Sequence, residues 1–327
     1  MKTIYDKKEE GLYPSYMNLY KSGELGLRVR RALDLLGECR MCPCDCRVDR
    51  INTSGGVCNT GRYAVVSGAY PHFGEEDCLR GINGSGAIYF SNCNMNCVFC
   101  LNREHSSAAD GGLIARPNIL ANMMLDLQAK GCHNVNFITS EHVIPQMLEA
   151  LEIAVSRGFS LPLIYNSSSY NSAESLKLLD GVVDIYAADF KFWNAEAAEK
   201  YLKVKDYPDI AKKSLKIMHE QVGDLVLDKE GLAHRGLLIR HLIMPDHGDE
   251  VQNIMEFIVS DLSDRTYVNL LNQYHPSGDV SESSYPELNR KLNFDEYDRV
   301  LEIAKNAGIK RIAHKQSIFS IIDNAGS

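Results

Sequence analysis

The sequence contains no apolar run of about 18 residues, which is the length that a membrane-spanning helix requires. Its first residues, MKTIYDKKEEGLYPSY, also lack the apolar stretch of a signal peptide. We therefore expect a soluble cytoplasmic protein with no membrane partner. A long basic stretch is absent too, and the net charge is −8. This composition argues against a nucleic-acid partner held through its phosphates.

Cysteine is nearly absent from the last two thirds of the chain. Of the 10 cysteines, only Cys132 lies beyond Cys100. Disulfides do not persist in a reducing cytosol, where clustered cysteines more often serve metal binding or catalysis. A buried, inert thiol is the simplest interpretation of Cys78 and Cys132, which stand alone. The remaining cysteines form two tight groups, and these predict metal sites.

The first group offers four thiols at the spacing C-x2-C-x3-C-x11-C, namely Cys39, Cys42, Cys46 and Cys58. Pro43 and the pair Gly55–Gly56 supply the sharp turns that let short loops surround a metal. Cys44 is a fifth candidate and leaves the ligand set open. Four thiolates suit either a structural zinc ion or a [4Fe–4S] cluster, and the spacing does not separate the two.

The second group has only three thiols, Cys93, Cys97 and Cys100, within SNCNMNCVFC. It follows GSGAIYFS (84–91), whose apolar centre predicts a buried strand. The thiols therefore lie on a loop at the carboxyl end of a strand, where α/β barrels carry their chemistry. Three thiolates on a four-iron cluster leave one iron open, as in catalytic metal sites. The alternative is a partial site completed by a distant residue such as Cys78.

At this motif the sequence resembles the radical S-adenosylmethionine (radical SAM) enzymes. CNMNCVFC has the form C-x3-C-x-Φ-C, with Phe99 as the aromatic Φ. The resemblance implies that Cys93, Cys97 and Cys100 hold a [4Fe–4S] cluster and that SAM occupies the open iron. Reductive cleavage of SAM then gives a 5′-deoxyadenosyl radical that abstracts a hydrogen atom. It also implies a reductant such as flavodoxin or ferredoxin, and it favours iron–sulfur over zinc in the first group.

Over roughly residues 35–315 the chain is similar to an uncharacterised branch related to the pyruvate formate-lyase activating enzymes. Members of that branch carry an N-terminal C-x2-C-P-x2-C element and a stretch like HFGEE before the first strand. This chain has both, at 39–46 and 72–76. Cys44 departs from the branch, where a basic residue is expected.

After the cysteine loop, apolar strand-like segments alternate with amphipathic helical ones. This alternation predicts βαβ units and a parallel sheet. The predicted strands are 84–91, 135–139, 161–165, 183–190, 237–244 and 267–271. With the resemblance, they indicate an α/β fold: a laterally open partial (β/α)6 TIM-like barrel of the radical SAM type. We expect residues 1–80 to form an N-terminal extension with the auxiliary cysteine site and residues 81–320 to form the barrel.

Polar residues at the strand ends gain roles from the resemblance. Ser140 and Glu141 follow the second strand, where the family binds the SAM amino group, although this chain lacks the glycines of that motif. Asn166, beside Ser167, follows the third strand and could bind the ribose or methionine part of SAM. A polar cap on the next helix is the alternative for Asn166. Asn102, just past Cys100, matches a cluster-adjacent position near the adenine.

The later strands add further candidates for cofactor binding. Asp189 and Lys191 match an Asp-x-Lys that lines the active site of activating enzymes, although two such charges also pair at surfaces. Arg240 and His241 alternate across the fifth strand, so only one should face the interior. Because a buried guanidinium needs a carboxylate, Arg240 is expected to bind that of SAM. His275 matches a histidine near the adenine, with a surface position as the alternative.

These expectations define an enzyme, a pyruvate formate-lyase activating enzyme-like oxidoreductase that cleaves SAM and takes hydrogen from an unknown protein, peptide or small molecule. One version activates a glycyl-radical enzyme. The other modifies a peptide or small molecule with help from a second [4Fe–4S] cluster, for which zinc remains an alternative. The rival interpretation is a non-enzymatic two-cluster iron–sulfur electron-transfer protein.

Overall fold

The computed structural model describes residues 13–106 and 111–313, which are organised around one large sheet. Its strands are β1 Ala64–His72, β2 Ser85–Phe90, β3 Leu113–Ala115, β4 Val135–Ile138, β5 Leu163–Ser167, β6 Ile185–Asp189, β7 Val226–Leu227, β8 Ala233–Leu242, β9 Tyr267–Leu271 and β10 Arg311–Ile312. None of the described helices is long and apolar enough to cross a membrane. Residues 314–320, assigned to the predicted barrel, and residues 1–12 of the predicted extension lie outside the described ranges.

Most helices lie in the connections between strands. They are α1 Tyr16–Ser22, α2 Glu24–Asp34, α3 Asp77–Arg80, α4 Arg103–Ser106, α5 Pro117–Ala129, α6 Ile144–Ser156, α7 Ala173–Leu179, α8 Ala195–Leu202, α9 Tyr207–Val222, α10 Gly248–Phe257 and α11 Phe294–Asn306. A π-helical turn, Ile258–Leu262, extends α10, and a 3-10 turn covers Pro286–Leu288.

Six strands run parallel in chain order, β2, β4, β5, β6, β8 and β9, each hydrogen-bonded to the next. A helix lies in every connection between them. The predicted partial (β/α)6 barrel is therefore confirmed, with strand bounds within a few residues of those expected. The short runs of β-branched and aromatic residues form strands because both faces of a parallel sheet are buried.

The two edges of the sheet were not predicted. On one side, β1 pairs antiparallel with β2, and β3 pairs antiparallel with β1; on the other, β10 pairs parallel with β9. β1 therefore shares a sheet with the barrel, although it precedes residue 81. The division of the chain into an extension and a barrel domain at residue 80 stays a prediction.

The N-terminal helices pack on the outside of the barrel through α6. Leu25, Val29 and Ala32 of α2 are buried at i, i+4 and i+7, the spacing of one helix face. That face contacts α6, which is itself buried along most of its length. Burial of each large apolar side chain contributes about 1.5–3 kcal/mol. This contact fixes the cysteine-rich segment 39–58, which follows α2, against the barrel.

The connection between β1 and β2 closes one end of the barrel. His72 at the end of β1 pairs with Ser85 at the start of β2, so the connection lies at the amino end of the parallel strands. From it, Cys78 and Leu79 of α3 pack among inward-facing side chains of the sheet, including Ile164, Ile185 and Leu238. We call Cys78 and Leu79 the plug. Burial raises the pKa of Cys78 to about 12, which suits an inert thiol.

Candidate active site

The barrel encloses a cavity of about 450 Å³ that extends from the cysteine loop to the segment carrying the plug. Many predicted site residues line it, and these are Cys93, Cys97, Phe99, Cys100, Asn102, Glu141, Asn166, Asp189, Lys191 and Arg240. The carboxyl ends of parallel strands meet at one end of a barrel, which explains why residues far apart in sequence converge here.

The cysteine loop is held by backbone contacts from other parts of the barrel. Val98 donates its N–H to the Tyr201 carbonyl (2.9 Å) and accepts the N–H of Asp279 (2.7 Å). Gly278 has φ +65°, and a Cβ there would lie 2.5 Å from the Val98 oxygen and 3.1 Å from the Cys100 nitrogen. Only glycine fits this close approach without moving the loop. No sequence pattern indicates this support of the loop.

The three loop thiols lie in one electrostatic environment. Burial raises the pKa of Cys97 to about 12; Cys100 adds to this rise, while the ammonium of Lys191 opposes it. Burial also raises the pKa of Cys93, with further contributions from Glu141 and Cys97. Within residues 13–106 and 111–313, no group of His, Cys, Asp or Glu side chains has the arrangement of a metal-ion site. Burial disfavours thiolates here unless a cation compensates them.

Cys78 does not stand near this loop. It lies in the plug at the amino end of the strands, whereas Cys93, Cys97 and Cys100 lie at the carboxyl end. The alternative interpretation, a partial metal site completed by Cys78, is therefore wrong. Phe99 of the motif is buried and packs edge-on against Phe192, with ring centroids 5.9 Å apart.

Asp189 and Lys191 form an ion pair that faces the cavity rather than the surface. Lys191 Nζ lies 2.5 Å from Asp189 Oδ2, and the two side chains are 16% and 25% exposed. Burial lowers the pKa of Lys191. The charges of Asp189 and Cys97 raise that pKa by more than burial lowers it, so the net shift is upward. Lys191 therefore stays positively charged beside the loop thiols.

Glu141 is buried and has one oxygen without a partner. Its Oε1 accepts hydrogen bonds from the Ser168 backbone N–H (2.5 Å), the Ser168 hydroxyl (2.7 Å) and the Ser167 hydroxyl (3.1 Å). Its Oε2 is buried with no hydrogen-bond partner among the described residues. Buried acceptors are normally satisfied, so Oε2 is placed to receive a donor from a ligand.

Ser140 and Asn166 differ in their contacts. The Ser140 hydroxyl is buried and donates to the Phe137 carbonyl (3.2 Å), and Ser140 does not line the cavity. The prediction that the Ser140 side chain binds cofactor is therefore wrong, because its hydroxyl completes a backbone turn. Asn166 lines the cavity, and the cap of the following helix is Ser172. The capping alternative for Asn166 is wrong as well.

Arg240 faces the interior as expected, but its carboxylate partners come from the chain. Its Nε and Nη2 donate to Glu76 (2.8 and 2.5 Å), and Nη2 also pairs with Glu75. Asn269 donates to Glu76 (2.6 Å) and Asn136 to Glu75 (3.0 Å). The argument that Arg240 must take its partner from SAM is therefore corrected. Glu75 and Glu76 were missed, although HFGEE was a visible polar signal.

The charges of this cluster shift the pKa of its members. Burial alone would raise the pKa of Glu76, but the charge and hydrogen bonds of Arg240 and the amide of Asn269 outweigh it, and the pKa falls below its ordinary value. His241 points the other way, with Nδ1 2.7 Å from the Phe190 carbonyl oxygen. The predicted alternation of Arg240 and His241 is confirmed.

Two candidates lie toward the outside. His275 is exposed, its Nδ1 lies 3.3 Å from the Gln273 carbonyl oxygen, and it does not line the cavity. The structure thus supports the surface alternative for His275 over a position beside the adenine. Asn102 lies exposed at the cavity rim, and its carbonyl accepts the N–H groups of His105 and Ser106 at the start of α4.

The four thiols of the first group are electrostatically coupled, although they do not form the arrangement of a metal-ion site in the described part of the chain. Burial raises the pKa of Cys46, and the thiols of Cys42, Cys58 and Cys39 add to that rise, so all four share one environment. The Val57 N–H donates to Cys46 Sγ (3.4 Å). Gly56 has φ +71°, and a Cβ there would lie 3.0 Å from the same sulfur. This close approach to Cys46 explains why residue 56 is a glycine.

Cys44 contacts both cysteine groups. Its Sγ donates to the carbonyl of Asn94 (3.5 Å) in the cysteine loop. A hydrogen bond with Cys44 is the largest cause that raises the pKa of Cys42. Cys44 thus lies between the two cysteine groups.

Comparisons with known proteins give structural matches and a sequence relative. No protein-family model matches the chain. A domain of pyruvate-formate lyase-activating enzyme from Bacteroides vulgatus is 13% identical with a TM-score of 0.39, over 55% of this chain and 99% of that one. SuiB from Streptococcus suis is 12% identical with a TM-score of 0.47, over 70% of this chain and 48% of that one.

The sequence relative covers nearly all of both proteins. Uncharacterized protein MJ0674 from Methanocaldococcus jannaschii is 33% identical over 299 residues, which are 89% of this chain and 81% of that protein. At that identity and coverage, the chain belongs to the family of MJ0674.

Proposed function

We propose that the protein is a radical SAM enzyme. The observation that carries the proposal is the presence, in one buried cavity, of three loop thiols and the unpartnered Oε2 of Glu141. Three thiols are the donor set of a site-differentiated [4Fe–4S] cluster, and an unpartnered carboxylate oxygen suits the N–H donors of an amino acid's amino group. The residues present therefore fit both a cluster and SAM.

Cys93, Cys97 and Cys100 would hold the cluster, and the remaining iron would take the amino and carboxylate groups of SAM. When bound, the pair supplies one-electron cleavage of the sulfonium and a carbon radical that removes a hydrogen atom from substrate. Glu141 Oε2 would accept an N–H hydrogen bond from the amino group of SAM, and Asn166 and Asn102 are cavity amides proposed to bind other parts of SAM.

The chain's own residues prepare this site in two ways. Lys191 stays charged beside Cys97 and favours negative charge on the loop sulfurs. The plug fills the amino end of the barrel, which keeps water from entering there. A dry, rigid pocket protects a reactive species from side reactions with solvent.

We further propose that Cys39, Cys42, Cys46 and Cys58 hold a second [4Fe–4S] cluster, with zinc as the alternative. The shared environment of the four thiols and the N–H···S bond to Cys46 support a closed metal site. Cys44, the alternative ligand, contacts both Cys42 and the cysteine loop. A reductant such as flavodoxin or ferredoxin would supply electrons, and the substrate is a protein, peptide or small molecule.

Anaerobic reconstitution with iron and sulfide, followed by SAM and dithionite, tests the proposal. We expect 5′-deoxyadenosine from the parent protein and none from a variant with Cys93, Cys97 and Cys100 replaced by alanine. That variant should keep about four irons if the auxiliary centre is a [4Fe–4S] cluster. An intact loop cluster that gives no product and no spectroscopic change with SAM would instead support the non-enzymatic electron-transfer alternative.

A further inference from the structure

Arg50 is a buried arginine that has no carboxylate partner in the described part of the chain. It is 1% exposed and lies in the cysteine-rich segment, directly after Asp49. Its Nε donates to the Thr60 carbonyl (2.7 Å) and its Nη2 to the Gly61 carbonyl (3.4 Å). Its Nη1 points to Cys39 Sγ (3.5 Å). None of the ion pairs found among residues 13–106 and 111–313 includes Arg50.

The nearby groups do not supply the missing negative charge. Glu149, the acid next to this region, is already bound by Arg62 at 2.8 and 2.9 Å. His142 is buried against Ser91, and burial followed by the charge of Arg50 lowers its pKa to about 3, so it is neutral. An uncompensated buried charge costs several kcal/mol, which makes the sulfur of Cys39 the significant contact.

We propose that Arg50 is a positioning residue of the auxiliary metal centre and that it orients the sulfur of Cys39 through an N–H···S bond. A centre with four thiolates is an anion whether it contains zinc or iron and sulfide, so it supplies the counter-charge that the chain lacks around Arg50. The Val57 N–H makes the equivalent contact with Cys46. Contacts of this kind orient metal ligands and tune the metal.

The proposal rests on the auxiliary-site part of the proposed function and not on SAM cleavage. It makes the effect of Arg50 depend on the metal. With the centre loaded, the guanidinium faces an anion and stabilises it. With the metal removed, that anionic centre is gone, and the same guanidinium is buried with no carboxylate partner among the described residues. A residue that only fills space and binds carbonyls would contribute equally to both forms.

The test uses the full chain with Cys93, Cys97 and Cys100 replaced by alanine, so that metal binds only at the auxiliary centre. Arg50→Met is compared with Gln146→Met as the matched control. Gln146 is buried and also donates to the Gly61 carbonyl (3.3 Å), but it carries no charge. Two readouts are taken: the rate of metal loss to a chelator, and the melting temperature of the loaded and metal-free forms.

We expect Arg50→Met to lose its metal at least about tenfold faster than the parent, the usual scale for contacts behind a ligand. It should lower the melting temperature of the loaded form and leave that of the metal-free form unchanged or higher. Gln146→Met should lower both melting temperatures alike and keep the parent rate of metal loss. Equal lowering of both forms by Arg50→Met, with an unchanged rate of metal loss, would overturn the proposal.

Arg50→Lys carries the test if Arg50→Met does not fold. Lysine keeps the positive charge but loses the planar set of donors that reaches Cys39, Thr60 and Gly61 together. Metal loss from Arg50→Lys should be faster than from Gln146→Met, and equal rates would contradict the role of Arg50. Because neither readout involves SAM, a failure of SAM cleavage leaves the result unaffected.

Discussion

Arg240 binds Glu76 through two parallel hydrogen bonds in the interior of the barrel, from Nε to Oε1 (2.8 Å) and from Nη2 to Oε2 (2.5 Å). The same guanidinium also pairs with Glu75, and all three side chains are at most 10% exposed. One buried positive charge therefore holds two buried negative charges at the side of the cavity opposite the cysteine loop. The stability of this arrangement depends on Arg240.

Arg240→Met should be strongly destabilising. It leaves two buried carboxylates without a counter-charge, and breaking a buried ion pair in this way costs about 3–5 kcal/mol. Urea unfolding at neutral pH measures the loss. Lys205→Met is the control, because Lys205 forms an exposed pair with Glu199 (3.3 Å), and such pairs contribute about 0–1 kcal/mol. A similar small effect of both substitutions would contradict the prediction.

The same pair predicts a dependence of stability on pH. Because the pKa of Glu76 in the folded protein lies below its ordinary value of 4.5, the pair's contribution is fully present above pH 4.5 and is lost as the pH falls through the lowered pKa. In Arg240→Met, burial should raise the pKa of Glu76 because the opposing charge and hydrogen bonds of Arg240 are lost, so acidification from pH 7 should stabilise the variant. The difference in urea midpoint between parent and variant should narrow from pH 7 to pH 5. If the difference in urea midpoint stays constant from pH 7 to pH 5, the buried carboxylates do not determine the stability of the variant.

Glu141→Gln should weaken SAM binding. Glutamine can keep an oxygen toward Ser167 and Ser168, but it presents an amide N–H₂ where Oε2 would accept the N–H of the ligand's amino group. Loss of a hydrogen bond to a charged group costs about 1.5–3 kcal/mol, or roughly 10–100-fold in Kd. Equilibrium binding of SAM to the reconstituted protein measures this. Ser140→Ala, which alters only a hydroxyl bonded to Phe137, should bind SAM as the parent does.

Gly278→Ala should impair loading of the loop cluster. The added Cβ would lie 2.5 Å from the Val98 oxygen, so the cysteine loop must move. Gly231→Ala is the control, because Gly231 also has a positive φ (+82°) but nothing within 4 Å of the added Cβ. Iron per chain after reconstitution should fall for Gly278→Ala toward that of the variant lacking Cys93, Cys97 and Cys100. Full iron content in both glycine variants would refute the predicted contact.

The sequence predicts those parts of the fold that depend on local residue patterns. The apolar runs at 135–138 and 267–271 are strands because both faces are covered, and the turn residues beside them set their ends. β1 was missed because AVVSGAYPH contains glycine and proline and lies near the edge of the sheet. Edge strands tolerate both residues and lose the usual strand signature.

The functional site is likewise predictable only where its residues form a local pattern. The spacing of Cys93, Cys97 and Cys100 is local and was recognisable, whereas the partner of Arg240 is 164 residues away in sequence. That pairing depends on the return of the chain after β1, which no periodicity records. His275 was expected near the cavity but is exposed. A histidine in a loop has no residue pattern that indicates where its side chain points.

The plug formed by Cys78 and Leu79 has a consequence for the order of events during turnover. Because it fills the amino end of the strands, a ligand that reaches Glu75 or Arg240 has to travel from the side of the cysteine loop or through the lateral opening. Two ligands that share one route cannot exchange independently. If SAM and substrate both pass the cysteine loop, the one that lies deeper binds first and leaves last, and steady-state kinetics should show compulsory-order binding; random-order binding would show that the substrate uses the lateral opening.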